Sequence, residues 1–286
     1  MADTLAAMVQ SRAKAGAPHP TLTIRDVGEL AAAAGVTRRE VELCALAEGV
    51  VPRRYLRNIG TLGVEGQLKL RRARVAVIGA GGLGGALVEL LARLGVGALV
   101  VADGDTFTED NLNRQLLSTE GTIGEGKAAA AAERVSRINS AVEVLPHKMF
   151  VDDANADGFL LGCDLVIDAL DNIPSRLVLQ RAAARLRIPF IHGAIAGFVG
   201  ELMTVFPGDR GLEVLYGEAA HAPEKGIEVT VGTPTVTPVA VAALQAAEAV
   251  KVITGTGELM RDRVLFIDLE TGSSSTLELS PRGGAR

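Results

Sequence analysis

The sequence predicts an α/β fold on a doubly wound, mostly parallel sheet, with an added antiparallel part and a small helical appendage at the N-terminus. Residues 75–78, 98–102 and 165–167 form short, unbroken apolar runs, as expected of strands buried on both faces. Ala- and Leu-rich stretches long enough for crossover helices lie between and after them. A glycine cluster, Gly79, Gly81, Gly82 and Gly84, turns the first strand into the first helix, a position where the backbone must bend tightly.

Residues 1–20 read as polar and loosely ordered. Residues 26–34 and 38–48 read as short helices. Thr37 and Glu40 make a capping box for the second of these, in which each satisfies the other's free backbone donor; Gly49 and Pro52 stop it. Residues 1–52 are read as the appendage and 53–286 as the main domain. Residues 62–72 lead as helix or connector into the first sheet strand. The glycine turn then opens a helix that ends near Gly95, and the strand at 98–102 ends on Asp103. A helix over 126–138, the strand at 165–167 and a helix over 173–186 follow. Strands are expected at 189–193, 202–206, 264–269 and 275–279. Residues 207–238, rich in Gly, Thr and Pro, read as a crossover-type loop, and the tail 280–286 as disordered.

Hydrophobic residues make up 48% and charged ones 22% of the 286 residues, the balance of a globular protein with one large domain. A net charge of −5 argues against nucleic acid as the main partner. No unbroken run of about eighteen apolar residues suggests a membrane span, and no charged-then-apolar pattern opens the chain. Cys44 and Cys163 are the only cysteines, which fits a reducing compartment and a cytoplasmic protein.

The glycine turn predicts an anion site, because a side chain there would hold the backbone away from phosphate oxygens and the helix N-terminus offers unpaired N–H groups. Asp103 is placed to bond ribose hydroxyls. That much says adenine nucleotide, with a nicotinamide dehydrogenase as the default. The continuation through Asp105, Asn111, Asn113, Arg114 and Gln115 suits a triphosphate better: Arg114 offers a two-pronged phosphate contact and the amides orient oxygens. Lys127 opens a helix, where its charge opposes the dipole unless an anion is near; a solvated surface lysine is the plainer reading. Asp171 and Asn172 follow the third strand, where ligands of open parallel sheets collect. A carboxylate facing phosphates implies Mg²⁺ between them, while Asp171 as a helix cap is the alternative.

Taken together, GAGGLG at 79–84, the D-x-D at Asp103 and Asp105, NLNRQ at 111–115, the lysine of GEGK and the D-x-x-DN turn ending at Asn172 resemble the ThiF/MoeB/HesA adenylyltransferases, relatives of the ubiquitin-activating enzymes. The likeness extends over about residues 53–270 and includes the lead-in at 53–58 and the A-x-E-x-x-K pattern at 246–251. It implies a Rossmann-like homodimer that binds Mg·ATP and the tail of a small ubiquitin-like sulfur-carrier protein ending in Gly-Gly, and adenylates its C-terminal glycine carboxylate. By motif position Asp103 would hold ribose, Asn111, Arg114 and Lys127 phosphates, and Asp171 the Mg²⁺. Arg57 would reach into the partner's site. Asp105, Gln115 and Asn172 would complete the nucleotide site with Gly79, Gly81, Gly82 and Gly84.

The chain lacks the C-x-x-C pairs that most such relatives carry for a structural zinc. Two isolated cysteines and the scattered His19, His147, His192 and His221 supply no familiar four-ligand set, so no zinc is expected. Covalent sulfur transfer on this chain is equally unexpected, since Cys163 reads as core packing. His192 and Glu201 flank a Gly-rich turn that is either a wall of the carrier channel or an ordinary turn with a satisfied core histidine. Competing readings are adenylation of a tRNA base or small-molecule carboxylate, a nicotinamide-dependent oxidoreductase, and a nucleotide binder without turnover.

Overall fold

A computed structural model describes residues 2–16, 18–217 and 228–279. The N-terminal part comprises α1 (Ala2–Arg12), β1 (Thr21–Leu22), α2 (Ile24–Ala34), α3 (Arg38–Ala47) and β2 (Val51–Pro52), with β1 and β2 paired in parallel. Thr23 and Thr37 each close a capping box, with Asp26 and Glu40 respectively. Residues 2–12 are a helix, contrary to the loose order expected of the first twenty residues. The helix is weakly amphipathic, but Val9 inserts fully into a small core with Leu22, Val27, Val41 and Ala45.

Helix α4 (Leu56–Arg72) leads into the main sheet and breaks at Gly63, whose φ of 66° is one that glycine tolerates. The remaining elements are β3 (Arg74–Ile78), α5 (Gly82–Leu94), β4 (Ala98–Ala102), α6 (Lys127–Ile138), β5 (Glu143–His147), α7 (Ala156–Leu160), β6 (Leu165–Asp168), α8 (Ile173–Leu186), β7 (Phe190–Ala196), β8 (Val199–Val205), α9 (Glu213–Tyr216), α10 (Glu228–Val231), α11 (Val236–Thr254), β9 (Arg263–Asp268) and β10 (Ser273–Glu278). The sheet runs β10-β9-β8-β7-β6-β3-β4-β5. Its members from β5 to β7 are parallel, and β8, β9 and β10 add the antiparallel part.

Alternation along the strands builds two cores. Val75, Val77, Leu99, Val101 and Ile167 face α5, α6 and α11, whereas Ala76, Ile78, Val100 and Val166 face α7 and α8. Helix α11 is long and apolar enough to cross a membrane. Its apolarity has a local explanation: Val241, Ala242, Ala246 and Ala249 are buried in the first of these cores. Within the expected loop 207–238 the structure has α9, α10 and the start of α11; residues 218–227 of that loop and the tail 280–286 lie outside the described residues.

A buried polar cluster joins the N-terminal helices to the sheet domain. Glu42 accepts from the Tyr55 hydroxyl at 2.9 Å and pairs with Arg71 Nε at 3.3 Å and Arg54 Nε at 3.5 Å. Both Glu42 and Arg71 are fully buried. Asn139 donates to the Tyr55 oxygen and to Ala92 O. Burial first, then the Glu42 charge, raises the Tyr55 phenol, which therefore stays neutral and donates.

Candidate functional site

The chain goes from β3 to β4 and β5 on one side, then returns to β6 on the other side of β3. Ligands of open α/β sheets settle where the strand order reverses in this way, beyond the carboxyl ends of the strands. A cavity of about 1070 Å³ lies there, just above the usual range for small-ligand sites. It is lined by Gly79, Gly81, Gly82, Asp103, Asp105, Asn111, Arg114, Gln115, Lys127, Asp171 and Asn172. Among the expected site residues, only Gly84 and Arg57 are not on its wall.

Gly84 acts one layer behind. A Cβ there would stand 1.8 Å from Gly79 O, so the helix could not start where it does. Gly79 has φ 96° and would meet Ala169 O at 2.4 Å. Gly81 precedes α5, and no side chain caps that helix. The first N–H groups of α5 are thus left to a ligand.

Asp103 accepts from Ala80 N at 2.7 Å and from Asp105 N at 2.8 Å. Burial raises its pKa, and these backbone bonds work against the rise. Lys127 is buried, with its Nζ 3.1 Å from Asp105 Oδ2, so the plainer reading of it as a solvated lysine is corrected. Arg114 donates to Asp110 O at 3.0 Å and to Asn113 Oδ1 at 2.7 Å. Asn111 is buried and receives Thr108 N on its Oδ1 at 3.3 Å. Asn113 donates to Thr233 O at 3.4 Å and accepts from the Thr235 hydroxyl through its carbonyl, which ties this turn to the segment before α11.

The cap of α8 is Asn172, whose Oδ1 accepts from Ser175 N at 2.9 Å. The alternative of Asp171 as cap is thereby corrected, and Asp171 is a cavity-lining carboxylate. Asn172 lines the cavity while its carbonyl oxygen is committed to the helix. Among the described residues no group of three or more His, Cys, Asp or Glu side chains is arranged to hold a metal ion. A magnesium ion carried in on phosphates needs only one or two protein carboxylates, and Asp171 fits that requirement. Arg57 is exposed on the first turn of α4.

The cavity continues past the nucleotide residues beside β7 and β8, where Ala194, Ala196, Val199, Glu201, Tyr216 and Phe266 line it. Behind this wall lies His192, fully buried. Its Nδ1 is 2.7 Å from Asp168 Oδ2, and its Nε2 is 3.2 Å from Glu201 Oε1 and 3.0 Å from the Tyr216 hydroxyl. Arg176 Nη1 lies 3.4 Å from Asp168 Oδ2 and donates to Gly193 O at 3.1 Å. Burial would lower the His192 pKa, but the bonds to Asp168 and Glu201 outweigh it and the net shift is upward. For Glu201, burial would raise the pKa; the His192 bond and charge and the Tyr216 bond hold it at about 2. A satisfied core histidine is thus what the structure contains, with its partners reaching the cavity. Of the two glycines that bound this turn, Gly200 lines the cavity and Gly193 does not; their missing side chains admit Val241 and Gln245 of α11, respectively.

Sequence reasoning missed Met149 and Phe150, both exposed and both on the cavity wall. Gly104 makes room for the Phe150 ring, 2.6 Å from where a Cβ would sit. Glu248 of the A-x-E-x-x-K pattern is structural: it accepts from Thr204 Oγ1 and Met260 N. Cys163 packs in the second core at the amino end of β6, and burial raises its thiol pKa.

Comparison with known proteins places these features in context. Residues 55–284 match the family described as the ThiF family. The chain is 40% identical over 220 residues to a protein of Haloferax volcanii named SAMP-activating enzyme E1, covering 75% of this chain and 80% of that one. It is 36% identical over 219 residues to the maize protein named adenylyltransferase and sulfurtransferase MOCS3-2, covering 75% of this chain but 45% of that longer one. Among solved structures, E. coli MccB with ATP superposes with a TM-score of 0.66 at 21% identity, over 80% of this chain and 72% of that one. The E. coli tRNA N6-threonylcarbamoyladenosine dehydratase TcdA, in complex with ATP, gives 0.60 at 23%, over 71% and 94%. At these identities the two structures speak for the fold alone.

Proposed function

The chain belongs to the ThiF family of E1-like adenylyltransferases, and on that footing we propose that it adenylates the C-terminal glycine carboxylate of a small ubiquitin-like sulfur-carrier protein, using Mg·ATP and releasing pyrophosphate. The carrying observation is that Asp103, Arg114, Lys127 and Asp171 converge on one cavity that continues beside β7 and β8. One half suits a nucleotide triphosphate and the other leaves room for a second substrate. The choice of a carrier rests on the Haloferax volcanii relative.

In this reading Asp103 bonds the ribose. The N–H groups at the start of α5, with Arg114 and Lys127, take the phosphate charge, and Asp171 holds the magnesium ion that arrives with ATP. A carboxylate oxygen of the carrier attacks the α-phosphorus. The bond from that phosphorus to the bridging oxygen breaks, leaving an acyl-adenylate and pyrophosphate. The attacking carboxylate is already ionised at pH 7, so no general base is required. The protein's task is positioning and charge neutralisation. The active unit is a homodimer in which Arg57, absent from the wall of its own cavity, serves the partner's. The cytoplasm, which supplies ATP, is the compartment.

ATP–pyrophosphate exchange tests the proposal. Exchange should require a carrier ending in Gly-Gly, and calorimetry should show ATP binding that Mg²⁺ strengthens in the parent but not in Asp171→Ala. Micromolar binding of NADH with none of ATP would overturn it.

A further inference from the structure

The buried cluster behind the β7–β8 wall is not explained by nucleotide binding. Among the described residues its charged groups are Asp168, Glu201, Arg176 and, as an imidazolium, His192, which sum to zero. Asp168 also accepts from Leu170 N at 2.9 Å, and Arg176 donates to Leu170 O. Gln180 Oε1 accepts from Leu212 N at 2.6 Å and so anchors the segment that carries Tyr216. Two donors, His192 Nε2–H and the Tyr216 hydroxyl, converge on Glu201 Oε1. That leaves Oε2 to accept from whatever enters the cavity that Glu201 lines.

Balanced charge makes this a strong hydrogen-bond acceptor without a net charge to offer a cation. A cationic side chain brought beside it would lose its hydration with no counter-charge to replace it. The neighbouring wall of Ala194, Ala196, Val199 and Phe266 has room for a slender occupant and little to hold a polar side chain. A reacting carboxylate would find only an acceptor at Glu201 and would be drawn toward the donors of Arg114 and Lys127. We propose that Glu201, presented by His192 and Tyr216, is a specificity-determining residue: it accepts a hydrogen bond from a main-chain amide N–H of the incoming glycine-rich tail and so sets the tail's direction. The inference rests on the adenylation reading above.

The test uses a synthetic peptide ending in Gly-Gly and two analogues, in each of which one of the last two amide N–H groups is replaced by an ester oxygen. ATP–pyrophosphate exchange is measured with the parent and with Glu201→Gln. One ester should lower kcat/KM of the parent on the order of 10- to 100-fold, the worth of a hydrogen bond to a charged acceptor. In Glu201→Gln the two converging donors hold the amide oxygen and turn the NH₂ toward the cavity. The amide peptide should then fall by a similar factor and lose its advantage over that ester. Equal kcat/KM for amide and both esters in the parent overturns the proposal while adenylation stands. So does the same amide-over-ester preference in parent and variant. No exchange with the amide peptide in the parent overturns adenylation of peptide carboxylates, and the proposal with it. Should Glu201→Gln fail to fold, Tyr216→Phe must reduce the preference by freeing Glu201; an unchanged preference refutes it.

Discussion

The glycine turn separates packing from binding in a way that two alanine substitutions can resolve. In Gly84→Ala the new Cβ would lie 1.8 Å from Gly79 O, 2.7 Å from Gly79 C and 3.3 Å from Ala169 Cβ. The first two are backbone atoms that cannot rotate aside, so α5 must shift off the turn. Overpacking of this kind costs about 3 kcal/mol, the upper part of the usual range. At about 2.1 cal/mol/K per residue, the unfolding entropy of 286 residues is roughly 0.6 kcal/mol/K, so Tm should fall by roughly 5 °C. In Gly81→Ala the nearest atom to the new Cβ is Gln115 Nε2 at 3.7 Å, an ordinary contact. Its Tm should stay within about 1 °C of the parent. A methyl on the cavity wall should nevertheless hold phosphates off the backbone and weaken Mg·ATP by about tenfold or more, about 1.4 kcal/mol. Scanning calorimetry and isothermal titration read the two quantities separately. Gly84→Ala melting with the parent would refute the packing argument, and Gly81→Ala binding Mg·ATP like the parent would refute the close approach of backbone to phosphate.

Removing Glu42 with alanine leaves Arg71 buried without its counter-charge, a loss of about 3–5 kcal/mol and thus roughly 5–8 °C in Tm; a shift below about 1 °C would mean the cluster does not join the two parts. Glu201 is held at about 2 against an ordinary 4.5, so its contribution to stability is full above 4.5 and is lost as pH falls through the folded value. His192 is raised above 6.5, so its contribution is full below 6.5 and is lost as pH climbs through the raised value. The Tm difference between parent and Glu201→Gln should therefore peak near about pH 5–6 and narrow on both sides; a difference independent of pH would contradict the charged cluster. Mixing Arg57→Ala with Asp171→Ala, each nearly inactive, should restore up to about a quarter of parental exchange activity, because about half the dimers are mixed and each has one intact site. No recovery despite verified subunit exchange would refute action across the interface.

What was legible in the sequence followed local rules. The strand at 98–102 and the helix at 173–186 match the structure residue for residue. The first is an unbroken apolar run, and the second is bounded by Asn172 as cap and by Arg187 in a left-handed conformation (φ 58°). Part of the cavity wall was legible for the same reason, since Gly79, Asp103 and Asp171 lie just after the ends of β3, β4 and β6, whereas Asn111, Arg114 and Lys127 were read from residue type and from the likeness to a family's motifs. Elements with little to bury were missed: β5 is a partly exposed edge with Pro146 in it, and β1 and β2 have two residues each. In the second half, the turn flanked by His192 and Glu201 was read as one candidate wall of the channel and does line the cavity, but the other partners of His192 were hidden by distance along the chain. Asp168 and Tyr216 each lie 24 positions from His192, and no local pattern joins them. One clue was present. His192 alternates in phase with Phe190, which faces the second core, while Ile191 faces the first. A histidine in a core-facing phase needs partners for both ring nitrogens. With Met203 directly opposite, the nearest in-phase residue of β8 able to supply one is Glu201. That diagonal pairing across a hairpin turns a core histidine into a means of aiming a carboxylate at the cavity.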